Sequence, residues 1–237
     1  MHKINNAIYS YYHTDSVKGF AGFADKKHFL SCVKESVLGV KNSFESVKLY
    51  TDKKGKEVLK STLSLFDDVI LLDEQVGNEY FFALYKFDAY LLQSEPFLHF
   101  DFDFILNQKI EIDADIVAEF SENAYEYRNK FVEYVVNIKG VNKHIIDFVN
   151  TGCNGVYAYC CGVFGGNDLE LIHQYAKDAK SLVTEYEARE KKGLWDILMI
   201  EQGYLSIIVR RKTPYLFKVK GIDYTHYIGN LKSNYKS

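Results

Sequence analysis

Short apolar runs alternate with amphipathic stretches through the first hundred residues, and this alternation narrows the available folds more than any other feature. "NAIYSYY" (6–12), "SVKLYTD" (46–52), "DDVILLD" (67–73) and "PFLHFDFD" (96–103) read as strands. Between them, "KKHFLSCVKESVLGVKN" (26–42), "KKGKEVLKSTL" (53–63) and "NEYFFALYKFDAYLLQSE" (78–95) place apolar residues at helical intervals. Strand, helix, strand, helix in this order predicts an α/β fold, a mostly parallel, Rossmann-like sheet flanked by helices on both faces. Ligands of such sheets bind at the carboxyl ends of the strands, near the switch in strand order.

The second half is less regular. "KIEIDADIVAEF" (109–120) alternates like a strand that has left the parallel core. "NGVYAYCCGVFGGND" (154–168) reads as an apolar strand ending in a tight turn at Gly165 and Gly166. "LELIHQYAKDAKSLVTEYEAREKKG" (169–193) reads as a long helix with Asp168 as N-cap and Gly193 as stop. There is no Pro/Gly/Ser linker, repeat or low-complexity tract, so a single domain over residues 1–237 is expected.

Composition sets outer limits. Of the 237 residues 47% are hydrophobic and 26% charged, an ordinary balance for a chain with a buried core. A net charge of −3 gives no reason to expect a nucleic-acid partner or electrostatic attraction to anionic lipid. Neither a leader pattern nor an apolar run of spanning length stands out, so the expected location is cytoplasmic, with room for peripheral membrane contact. Cys32, Cys153, Cys160 and Cys161 form no CxxC and read as small buried hydrophobes.

The most chemically pointed stretch is "FLHFDFDFIL". Asp101 and Asp103 lie two apart as an apolar strand ends, so both carboxylates can face one point above the sheet edge. Two hard oxygen ligands suit Mg²⁺ or Mn²⁺, which complete their shells with water and phosphate oxygens. Flanking Phe100, Phe102, Phe104, Ile105 and Leu106 make the acids costly to bury unless a cation compensates. The plainer alternative is that they cap the following turn.

The element order, "LYKFDAYLLQSEPFLHFDFDFIL" and the late "GVFGGND" resemble nucleotide-sugar glycosyltransferases of the GT-A fold, over about Ile8 to Lys232. "HYIGNLK" resembles the H-x-x-G-x-x-K stretch of the retaining glycogenin-like and galactosyltransferase-like branch, although Ser233 and Asn234 stand where that family often has Pro-Trp. The resemblance implies that Asp101, Asp103 and His226 hold Mn²⁺ (or Mg²⁺), and that Lys232 and the Gly229 backbone meet the diphosphate of a UDP-sugar donor. It implies a hexosyltransferase acting on a glycan or lipid-linked acceptor, in polysaccharide biosynthesis, with retention. Imidazole beside two carboxylates favours Mn²⁺ over Mg²⁺.

Further expectations follow from that resemblance. Lys86, on the helix before the acidic pair, would contact the donor, unless with Asp88 it is merely a solvated helix face. Tyr9, Ser10 and Tyr11 would lie near the base, or in the core. Gly165, Gly166, Asn167 and Asp168 would line the sugar and acceptor pocket. Glu201 and Gln202 resemble the acidic-Gln pair near the reacting carbon, with a helix-surface pair as the alternative. Asp52 reads equally as a helix cap, and Trp195 as core or sugar platform. Two other functions share the pattern. One is a sugar nucleotidyltransferase, for which "SYYHTDSVKGFAGF" is a poor phosphate loop; the other is a non-catalytic protein of the same fold.

Overall fold

The computed structural model describes residues 3–13, 20–73, 83–122, 158–187, 197–219 and 221–235. The first half follows the expected alternation: β1 (Asn6–Tyr11), α1 (Lys26–Lys41), β2 (Ser46–Thr51), α2 (Lys53–Val58), β3 (Asp68–Leu71), α3 (Ala83–Leu91) and β4 (Phe97–Phe100). Then come β5 (Phe104–Leu106), β6 (Ile116–Ala118), β7 (Ser121–Glu122), β8 (Ala158–Tyr159), β9 (Val163–Gly166), α4 (Leu169–Glu187), α5 (Tyr204–Lys212), β10 (Leu216–Lys218) and β11 (Tyr224–His226). Seven strands form one sheet in the order β10-β6-β9-β4-β1-β2-β3. β1 pairs in parallel with β2 and β4, and β2 with β3. The strand order reverses at β1, so the carboxyl ends of β1 and β4 flank a switch point.

Alternation along β1 explains why both faces are covered. Ile8 joins a cluster with Phe87, Tyr90, Tyr175 and Ile208 from the helices on one side. Ala7, Tyr9 and Tyr11 join Phe29, Val33, Val37 and Phe102 on the other. Two capping expectations hold. Asp52 accepts from the Gly55 amide at 2.7 Å, and Asp168 from the Leu171 amide at 2.9 Å.

Three boundaries and one strand direction differ from expectation. The helix expected over 53–63 ends at Val58 and resumes as a short 3₁₀ turn, Leu63–Leu65. The strand expected over 96–103 stops at Phe100, because the chain turns at Asp101–Asp103 with the Phe104 amide bonded to the Asp101 carbonyl at 3.1 Å. Of 109–120, only Ile116–Ala118 enters the sheet; Ile110, Ile112 and Ala114 are buried without a ladder of their own. The 109–120 segment does not leave the core: β6 lies within the seven-stranded sheet, parallel to β10, and β9 is the strand antiparallel to its neighbours β4 and β6.

Gly165 and Gly166 are not a turn at the sheet edge but lie within β9, between β4 and β6. Their φ values of 154° and 144° suit glycine, and a Cβ would come within 2.1 Å of the Phe97 carbonyl and 2.0 Å of the Asp115 carbonyl. Close strand packing, not chain reversal, requires them. The start of the expected helix 78–95, residues 154–157, Cys153, Gly193 and Trp195 lie outside the described residues. No described helix is long and apolar enough to cross a membrane.

Candidate active site

The acidic pair is presented by a turn whose central residue is an anchor. Phe102 is buried and stacks on Tyr9 with ring centroids 4.9 Å apart, while its carbonyl accepts from the Cys32 thiol at 3.3 Å. The Asp101 amide donates to the Gly162 carbonyl at 2.8 Å, which ties the turn to the start of β9. With Phe102 directed into the core, the two aspartates flank it at the carboxyl end of β4. They project from this turn, not from a continuing strand.

β11 brings in the distant histidine. It pairs antiparallel with β5, His226 opposite Phe104, and the Tyr227 amide donates to the Asp103 carbonyl at 3.0 Å. That register places His226 Nε2 3.4 Å from Asp103 Oδ1, while Nδ1 lies 2.8 Å from Glu119. Lys232, in the 3₁₀ turn Gly229–Asn234, lies 2.7 Å from Asp103 Oδ2 and also donates to the Ala21 carbonyl at 2.7 Å. Gly229 opens that turn with φ 55°.

On the other flank, Lys86 reaches Asp101 Oδ1 at 2.8 Å and Glu201 Oε1 at 2.8 Å. Its side chain is 8% exposed, so the solvated-face alternative does not describe it. Asp88, two residues on, pairs instead with Lys180 of α4. Glu201 sits in a π-helical turn, Met199–Gly203, and its carbonyl accepts from the Tyr175 hydroxyl at 2.6 Å. A π turn directs a side chain off the ordinary helical spacing, and such turns recur at functional sites. Glu201 is therefore an interior partner of Lys86, not a surface residue; Gln202 beside it is half-buried.

The electrostatics divide sharply. Asp101, enclosed among like charges, is raised to about 6 by burial, although Lys86 pulls the other way. Asp103 is also buried, yet Lys232 and His226 hold it well below the usual carboxylate range. Burial alone would lower His226, but hydrogen bonds to Asp103 and Glu119 push it up to about 9. Burial and the Asp101 and Glu201 charges act oppositely on Lys86, and the charges win, keeping it well above its ordinary value.

Asp103 and His226 have the spacing of two ligands of one divalent cation. Adjacent ligands at about 2.1 Å from an octahedral ion stand roughly 3 Å apart, close to the 3.4 Å between Asp103 Oδ1 and His226 Nε2. Lys86 faces Asp101 and Glu201, Lys232 faces Asp103, and Glu119 faces His226, so four carboxylates stand against two ammonium groups. With His226 neutral, two negative charges remain, the charge of one such ion. Asp101 is engaged by Lys86, and among the described residues the trio whose ligand atoms lie within 4.8 Å is Glu119, Cys160 and His226. Asp103 and His226 thus face each other directly, with Asp101 at the rim, its side chain 28% exposed.

Other expected residues lie elsewhere. Tyr9 is fully buried with its hydroxyl 3.0 Å from Ser36 Oγ, and Tyr11 is buried with its hydroxyl on His13 Nδ1. Neither ring faces the cluster. Gly165, Gly166, Asn167 and Asp168 are not brought to it, because β9 runs antiparallel and sets Gly166 opposite Phe97, at the far end of β4. That is roughly 13 Å of chain from Asp101. Asn167 instead bonds Asp113 at 2.7 Å. Gly162, at the other end of β9, is the glycine that touches the cluster.

Ser10 Oγ bonds His99 Nε2 at 2.9 Å, and His99 Nδ1 lies 3.8 Å from Asp101 Oδ1. This has the order of a hydrolytic triad, but 3.8 Å is no hydrogen bond. Burial and the neighbouring Lys86 charge also hold His99 well below its ordinary value, so it is a poor proton acceptor. Glu119 had no sequence signal beyond being an acid in an apolar stretch. Cys32, Cys160 and Cys161 are buried free thiols, as expected.

The fold and the cluster together define an α/β protein with an acidic, lysine-flanked side-chain cluster at the carboxyl edge of a mostly parallel sheet. The chain belongs to a family of unknown function (DUF6734), which matches residues 2–220 and so stops short of His226 and Lys232. No curated protein matches it.

Proposed function

We propose that this protein is a metal-dependent glycosyltransferase of the GT-A fold, moving a hexose from a UDP-sugar to a glycan or lipid-linked acceptor with retention. The observation that carries the reading is the approach of His226 Nε2 to Asp103 Oδ1 at 3.4 Å, at the carboxyl end of β4. An Asp-x-Asp at that point of a parallel sheet, joined by a C-terminal His and Lys, is the combination that the family resemblance calls for. The β3-β2-β1-β4 half of the sheet and its switch point give further support.

Asp101, Asp103 and His226 would hold Mn²⁺ or Mg²⁺, which neutralises charge on a diphosphate. Lys232 supplies a second point charge for that diphosphate. Lys86, held between Asp101 and Glu201, positions Asp101 and fixes the Glu201 carboxylate beside the reacting sugar. In the transfer, the bond between the anomeric carbon and the β-phosphate oxygen breaks and a bond to the acceptor hydroxyl oxygen forms. The hydroxyl proton passes to an oxygen of the departing diphosphate, so no separate protein base is needed. Glu201 and Gln202 face the developing positive charge on the sugar.

The test is a thermal-shift measurement with UDP, Mn²⁺ and both together. The combination should raise the melting temperature beyond the two separate effects, and His226→Ala should abolish the increment. Stabilisation by a nucleoside triphosphate with a sugar phosphate instead would move the assignment to a nucleotidyltransferase. No response to any nucleotide would leave the non-catalytic reading.

A further inference from the structure

Glu119 belongs to none of the motifs that mark the site, yet its side chain is only 1% exposed and touches the His226 imidazole. It follows β6, and two backbone bonds hold it in place. Its amide donates to the Cys160 carbonyl at 3.0 Å, and the Cys160 amide donates to the Phe120 carbonyl at 2.9 Å. The Cys160 thiol donates to Glu119 Oε2 at 3.2 Å. Gly162 completes the cradle: a Cβ there would lie 2.4 Å from Glu119 Oε2 and 2.5 Å from His226 Cε1. The carboxylate is thus fixed from three sides before it meets His226.

A neutral imidazole carries one proton, and a carboxylate only accepts. The ring nitrogen facing Glu119 therefore keeps the N–H, and the other presents its lone pair. Here Nδ1 faces Glu119 at 2.8 Å and Nε2 faces Asp103 at 3.4 Å. We infer that Glu119 is the positioning residue of the cation site: it holds the ring proton on Nδ1 and so aims the Nε2 lone pair at an ion shared with Asp103. Metal-binding histidines regularly use such a carboxylate partner, and losing it typically weakens binding by about 10- to 100-fold. The inference rests on the metal-dependent reading above. It adds that the site is built outward from Cys160 and Gly162 through Glu119, a layer absent from the Asp-x-Asp and H-x-x-G-x-x-K motifs.

The experiment measures Mn²⁺ affinity in the presence of UDP, by the paramagnetic resonance signal of free Mn²⁺, for the full chain and its Glu119→Gln and Glu119→Asp variants. Melting curves in chelator report folding. Both variants should bind Mn²⁺ about 10- to 100-fold more weakly, the second because its shorter arm withdraws the charge from Nδ1. Independently of any variant, ¹⁵N spectra of the unmodified protein with UDP and diamagnetic Cd²⁺ should show Nε2 bound to metal and Nδ1 protonated. Variants that fold and bind Mn²⁺ within about twofold of the original overturn the inference while leaving the proposed function standing. Cd²⁺ found on Nδ1, with a thiolate absorption band that Cys160→Ser removes, overturns it too, since Glu119 would then be a ligand of a thiolate site. Failure of the unmodified protein to take up Mn²⁺ with UDP defeats this inference and the metal-dependent function together.

Discussion

Lys232 Nζ stands 2.7 Å from Asp103 Oδ2, so the lysine assigned to the diphosphate also neutralises one of the carboxylates assigned to the ion. Cation and ammonium compete for one acid, and the competition has a signature. Lys232→Met should tighten Mn²⁺ binding measured alone by about tenfold, roughly 1.4 kcal/mol, and weaken UDP binding in saturating Mn²⁺. Titration calorimetry with each ligand separates the two effects. Equal weakening of both would mean that Lys232 serves mainly to pin the C-terminal turn through the Ala21 carbonyl.

His226 makes stability and metal binding depend on pH in opposite ways. Its folded value of about 9 lies above the ordinary 6.5, so protonation of this group favours the folded state. That contribution is complete below about pH 6.5 and is lost as the pH rises through 9. It is worth at most about 3 kcal/mol, and chemical denaturation in chelator between these values should show it for the original chain but not for His226→Gln. Mn²⁺ affinity should rise over the same range, because the ion must displace the proton. Asp103 acts on the acid side: its depressed value keeps its contribution down to pH values well below the usual carboxylate range.

Lys86 sits between Asp101 and Glu201 at 2.8 Å from each. Lys86→Met would leave the buried Glu201 carboxylate unpaired beside the part-exposed Asp101, at a cost of about 3 kcal/mol in urea unfolding. Adding Glu201→Gln should recover part of that loss. A purely additive double mutant would show that Lys86 acts on Asp101 alone.

Gly162→Ala and Gly165→Ala separate site from scaffold. At Gly162 the new methyl meets Glu119 and His226 side-chain atoms; at Gly165 it meets the Phe97 carbonyl in the neighbouring strand. The first should weaken Mn²⁺ binding by about tenfold or more while the melting curve keeps its cooperativity. The second should destabilise the whole chain by more than about 3 kcal/mol, since backbone must move and no flexible side chain can yield.

Local pattern was a good guide wherever neighbours in sequence are neighbours in space. The four parallel strands, the caps at Asp52 and Asp168, and the position of Asp101 and Asp103 at a strand end all come from periodicity and short-range hydrogen bonding. It could not place Gly165–Asp168, which only the family resemblance set at the sugar and acceptor, because an apolar strand reads identically in either direction. Only pairing with β4 and β6 shows that β9 runs antiparallel and carries those residues away from the acids. It failed for Tyr9, whose strand alternation turns it toward Phe102 in the core.

The amino-acid sequence by itself determined the α/β alternation, the buried covers of the sheet and the residue types of an acid-and-histidine site. The tertiary structure alone decided the partnerships: Lys86 with Glu201, Lys232 with Asp103, and Glu119 with His226. The physical reason is that register between distant strands, such as His226 opposite Phe104, is set by long-range pairing that no local window contains. A carboxylate such as Glu119 acquires its role only from what that register places against it.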